Sequence, residues 1–159
     1  MKIFTLTSSF KNGEDMPAKY AHKHAPGGQN VNPPLEWTDV PEGTKSFALL
    51  MYDLHPVAKN WVHWTVVNIP ADVRKIAEGV SNTNSMPAGS IELLSSYKEK
   101  GYGGPNPPSG TGRHEYKFIL YALNVEKVDF SGYLTAEEFQ AKLKDKIIGK
   151  AEISGYYMQ

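Results

Sequence analysis

"SFALLMYDLHPVAKNWVHWTVVNI", residues 46–69, holds two apolar runs joined by a short polar break. The first, 46–53, is apolar at nearly every position, as in a central strand covered on both faces. The second, 61–69, mixes β-branched and aromatic residues. Strict alternation would set Trp61, His63, Thr65, Val67 and Ile69 on one face and Val62, Trp64 and Val66 on the other. The break is only residues 54–60, and a connection this short predicts antiparallel neighbours in one sheet. Asp53 and His55 then lie at the same sheet end as His63.

Further strands follow outward from this pair. "KFILYALNV" (117–125) is again apolar on both faces, and "KIFTLTS" near the start alternates. "AEISGYYM" (151–158) is a weaker terminal candidate, interrupted by Gly155. One helix is predicted near 135–148. Thr135 and Glu138 have capping-box spacing, Leu134, Phe139, Leu143 and Ile147 recur near a 3.6-residue period, and Gly149 supplies a stop. The rest, including "APGGQNVNPPLEW" (25–37), reads as Pro/Gly-rich loop. Without regular strand–helix alternation, this predicts one mainly-β domain over residues 1–159, a sheet covered by a second sheet or by loops.

Composition narrows the function classes. A chain of 159 residues can bury about two-thirds of its unfolded surface. Seventeen basic and seventeen acidic side chains leave no net field, which argues against a nucleic-acid partner. No stretch approaches the roughly 18 apolar residues of a membrane span, and Thr5, Thr7, Ser8 and Ser9 interrupt any signal-peptide core. With no cysteine, disulfides and thiolate chemistry are excluded, and a cytoplasmic location is expected.

"YGGPNPPSGTGRHEY" (102–116) places Gly or Pro at seven of its fifteen positions and delivers His114 to the next strand. Two to five residues suffice to join strands, so a long, stiff loop without bulky side chains reads as a pocket wall. His63, in an apolar strand, is either a satisfied core histidine or a site residue. His114 is flanked by Arg113 and Glu115 and is a site residue or a solvated strand end. Asp53 is a turn former or an orienting carboxylate. His22 and His24 form an H-x-H pair without an adjacent acidic ligand and read as a surface pair. No phosphate-cradling glycine motif, H-E-x-x-H or G-x-S-x-G occurs.

"GGQNVNPPLEW", "FALLMYDLHPVAKNWVHWTVVNIP" and "YGGPNPPSGTGRHEYKFILYAL" occur in this order. Together they resemble the signature blocks of the phosphatidylethanolamine-binding protein family, in its bacterial and archaeal Raf-kinase-inhibitor-like branch. The resemblance implies a mainly-β fold, with a large central antiparallel sheet flanked by a smaller one and a C-terminal helix. It also implies a small pocket at a sheet end that takes phosphate-like groups: a phospholipid head group, a nucleotide or a phosphorylated side chain. Neither a cofactor nor a metal is implied.

Carried over by position, the family's D-P-D-x-P element falls on Asp53, Leu54, His55, Pro56 and Val57, and its pocket histidine on His63. The later block falls on Asn106, Pro107, Pro108, Gly112, His114, Glu115 and Tyr116, with Tyr102 and Gly104 lining the pocket upstream. In this reading His63 and His114 donate ring N–H bonds to the anion, helped by amides near Gly104 and the Tyr102 hydroxyl. Asp53 orients one imidazole. His55 replaces the family's second aspartate, Val57 its proline and Glu115 its arginine, and Asn106 stands where the family often has glycine, departures that bear on ligand choice. The family also suggests a kinase or protease partner, regulated rather than chemically altered, and a homodimer through exposed Tyr156 and Tyr157. The competing reading is a histidine–aspartate acid–base or metal-dependent hydrolase using the same residues.

Overall fold

Strand pairing grows out of the two-faced apolar runs. In the computed structural model, which describes residues 2–159 and leaves Met1 outside, β3 (Ser46–Asp53) lies antiparallel between β4 (Val62–Pro70) and β7 (His114–Leu123). With β6 (Ile91–Glu92) and β8 (Ile147–Tyr157) they form a five-stranded sheet in the order β6-β4-β3-β7-β8. A smaller sheet, β1-β2-β5, comprises Thr5–Thr7, Leu35–Thr38 and Lys75–Ile76. The mainly-β, two-sheet fold expected from the sequence is the fold observed.

Alternation along β3 divides the core into two layers. Phe47, Leu49 and Met51 join Trp37, Trp64 and Phe118 between the sheets. Ala48 and Leu50 face the other way, joining Ile119, Phe139 and Leu143 under the helix. Full burial of a side chain of this size stabilises by about 1.5–3 kcal/mol, so both faces of β3 hold the molecule together.

The predicted alternation along β4 fails, for a specific reason. Met51 pairs with Trp64 and Tyr52 with Val62, leaving His63 as the extra residue of a β-bulge. A second shift lies between Leu49↔Val66 and Phe47↔Ile69, where Asn68 has a φ of 59°. Val62 therefore packs in the helix-side layer and Trp64 between the sheets, although they are two residues apart.

The C-terminal helix is shorter than its periodicity predicts. α1 runs Ala136–Leu143 behind the expected Thr135/Glu138 capping box, and a 3-10 turn follows over Lys144–Lys146. Ile147 opens β8, because its ladder with β7 outweighs local helical spacing. Gly149 lies inside that strand, where a Cβ would come within 2.7 Å of Pro41 Cγ. β8 is the sheet's edge, and residues 13–16 cover its far half: Gly13 N–H donates to Ser154 O, and Tyr156 exchanges bonds with Glu14 and Met16. Tyr156 is half-buried beneath the Arg113 guanidinium, 4.2 Å from its ring centre, so it is not the exposed aromatic expected.

Candidate functional site

The bulge is what presents His63. Its carbonyl, without a ladder partner, accepts from Gly103 N–H at 2.9 Å. Its ring Nδ1 lies 2.6 Å from Gly103 O. A carbonyl can only accept, so Nδ1 carries the proton and Nε2 is the nitrogen left for the site. Bulges next to functional sites commonly re-aim a side chain in this way.

Glycine is required at Gly103 and Gly104 for closeness. A Cβ on Gly103 would sit 2.4 Å from Tyr97 Cδ2, and one on Gly104 would sit 2.2 Å from Tyr20 O.

His114, the first residue of β7, is fully buried. Its Nδ1 donates to Asp53 Oδ2 at 2.7 Å, while the backbone N–H of His55 donates to Asp53 Oδ1 at 2.8 Å. Asp53 is thus an orienting carboxylate as well as a turn former. The Nε2 of His114 lies 2.8 Å from Thr111 Oγ1, which is also 2.7 Å from Pro108 O. One hydroxyl proton serves only one of these two acceptors.

These groups close the inner end of a cavity of about 270 Å³. Asp53, His63, Pro107, His114 and Tyr116 are buried there, while Val57 and Trp61, 50% and 39% exposed, form its mouth with Asn106 and Pro108. No Lys or Arg of the described residues lines it. Burial holds the His63 imidazole well below its ordinary range, to about 4, against a weaker upward pull from Gly103 O and the Asp53 charge. Burial first, then Asp53, pushes the Tyr97 and Tyr116 phenols up, so both keep their protons. The Tyr97 hydroxyl donates to Gly104 O at 2.8 Å. The Tyr116 hydroxyl is buried without a well-formed hydrogen bond, its proton drawn toward the nearby Asp53 carboxylate.

Of the residues expected at the site, Asp53, His63, Pro107 and His114 line the cavity. His55 and Pro56 do not: His55 stacks on the face of His114, centroids 3.9 Å apart, and caps the 3-10 turn that Pro56 opens. Tyr102 and Gly104 are also displaced. The Tyr102 hydroxyl donates to Tyr20 O at 2.7 Å and the Gly104 amide to Asn30 Oδ1 at 2.7 Å, so neither is free for a ligand. Glu115 turns away to accept from Ser154 Oγ at 2.7 Å. Of the four departures from the family pattern, His55 and Glu115 lie outside the lining, whereas Val57 and Asn106 lie on it. Among the described residues no group of three or more His, Asp or Glu is arranged to hold a metal ion. His22 and His24 stack on each other at 4.9 Å. Sequence reasoning missed Trp61 as a rim residue and missed Tyr97 altogether; Tyr97 sits in the polar stretch "SSYKEK" (95–100), which carries no pattern pointing to a site.

The family model for phosphatidylethanolamine-binding protein matches residues 6–158. The chain belongs to that family. A UPF0098 protein of Aquifex aeolicus is 36% identical over 157 residues, covering 99% of this chain and 88% of the relative. The crystal structure of Escherichia coli YbcL, described as a member of the mammalian family, superposes with a TM-score of 0.90 at 34% identity, over 98% of both chains. A family homologue from Chlamydia trachomatis gives 0.80 at 33% identity, over 98% of this chain and 97% of its own. No helix of the described residues is long and apolar enough to cross a membrane.

Proposed function

We propose that the cavity binds a small phosphate-type oxyanion carried on an apolar body, and that the protein acts by binding it. The observation that carries this reading is the Tyr116 hydroxyl, buried on the cavity lining with no well-formed hydrogen bond although the Asp53 carboxylate is near. Buried polar groups are nearly always hydrogen-bonded, so a lone one at a cavity wall marks a ligand position. The open Nε2 of His63 shares that wall, and Val57, Trp61 and Pro107 suit the ligand's apolar part. Where the oxyanion is a phosphorylated side chain, docking it regulates the protein that carries it; a phospholipid head group or nucleotide offers the same chemistry. A carboxypeptidase Y inhibitor shares the fold at 20% identity, and regulation of a protease or kinase is the corresponding role proposed for this chain.

The geometry favours binding over acid–base hydrolysis. His114, oriented by Asp53 as a general base would be, has its second nitrogen on Thr111. Histidine ¹⁵N NMR during titration with inorganic phosphate tests the reading. The His63 and His114 ring signals are expected to move together at millimolar phosphate; no response from either overturns it.

A further inference from the structure

The inner end of the cavity is rich in acceptors, which is unusual for an anion site. The Gly103 carbonyl fixes the His63 proton on Nδ1, so the nitrogen left for a ligand is a lone pair. Asp53 contributes a carboxylate, an acceptor only. No lysine or arginine compensates for it on the lining. The donors are few: the Tyr116 hydroxyl, without a well-formed bond of its own, and, at the mouth, the Trp61 indole N–H and the Asn106 amide, whose Oδ1 is taken by Gln159.

A fully ionised oxyanion offers acceptors only. Set against Nε2 and Asp53, it brings lone pair to lone pair and charge to like charge. An oxyanion that keeps one proton resolves both conflicts, since its P–OH donates inward while its other oxygens accept from Tyr116 and Asn106. Resting on the oxyanion reading above, we propose that this cavity selects oxyanions bearing a proton, namely phosphate monoesters as their monoanions, and rejects sulfate esters. His63 is the residue that determines this specificity.

The groups facing His63 come from every neighbouring element and supply no fixed positive charge. Asp53 comes from β3, His114 and Tyr116 from β7, Tyr97 from the segment after β6, and His22 from the N-terminal segment. Because burial keeps the ring neutral down to about pH 4, it does not titrate between pH 6 and 8. His63 therefore adds no change in binding across that range, where the ligand's own second ionisation falls, near pH 6 for a phosphate monoester. Phenyl sulfate, which has none, reads any contribution from His22, His55 or His114.

Calorimetry of the full chain with phenyl phosphate and phenyl sulfate, at pH 6 and pH 8, tests the proposal. At pH 6 phenyl phosphate should bind at least about tenfold more tightly, the cost of leaving a buried acceptor unpaired. Its affinity should fall about 50-fold by pH 8 as the monoanion disappears, while the weak sulfate binding stays level. His63→Gln, whose amide can turn an N–H₂ toward the ligand, should lose most of this discrimination. If that variant does not fold, the two-ligand, two-pH comparison on the unaltered chain decides alone. Equal affinity for the two esters, or phosphate binding that tightens toward pH 8, overturns the selectivity and leaves the oxyanion reading standing. No binding of either ester overturns both.

Discussion

Residues 101–105 and 106–113, the two halves of the loop ahead of β7, share a Gly/Pro vocabulary and differ in everything else. All five residues of the first half are buried; in the second, all but Pro107 and Thr111 are exposed. The first half is stitched to residues 20–30 through Tyr102, Gly104 and Pro105. The second half is tied mainly to Gln159, which donates to Asn106 Oδ1 and Pro107 O. Each half holds one histidine of the site: Gly103 holds His63, and Thr111 holds His114. Glycine itself has two uses here. In the first half it lets backbone meet neighbour, whereas Gly110 and Gly112 have φ of 82° and 86° with open space where a Cβ would go.

The comparison breaks most visibly if Gly104 tolerates a side chain. Gly104→Ala drives a methyl against the Tyr20 and Ala21 backbone, and should cost about 3 kcal/mol or more in urea denaturation. Loss of no more than 1 kcal/mol would mean the first half yields as readily as the second.

Acid sharpens the same contrast through His63. Its native pKa, about 4, lies below the unfolded value of 6.5, so between these the unfolded chain binds the extra proton. Stability should be fully present above pH 6.5 and fall as the pH drops toward 4, by about 3 kcal/mol at most. His63→Gln should remove that portion of the acid limb, as read from denaturation midpoints across pH.

The smallest effect belongs to the second half. Gly110→Ala meets only the strain of a positive φ, worth about 1 kcal/mol. A loss as large as that at Gly104 would erase the distinction between the halves.

What the sequence revealed follows the same physics. The strands covered on both faces, β3, β4 and β7, are legible because their apolar runs exceed what a loop can hide. β1 is legible too, in the alternating "KIFTLTS", but β2, β5 and β6 are not, since four residues at Leu35–Thr38 and two each at Lys75–Ile76 and Ile91–Glu92 make no run. The start of β8 is masked because Ile147 serves the helix-side core from a strand while matching the spacing of a helix. At the site, chain geometry brings Asp53 to His63, and family likeness brings His114. Position alone could not show that the Tyr102 hydroxyl and Gly104 amide are taken by Tyr20 and Asn30, or that His55 stacks on His114 instead of lining the cavity.

His63 is counted in the chain but skipped by the ladder. Strike that single residue from the sequence and the stagger between Met51 and Tyr52 closes, Val62 stands directly next to Trp64, and the pleat runs one step longer without a fault. The shortened protein would be the more regular sheet and would lose the His63 lone pair from the base of its cavity. Regularity and recognition compete at this one position, and the fold keeps the irregular solution.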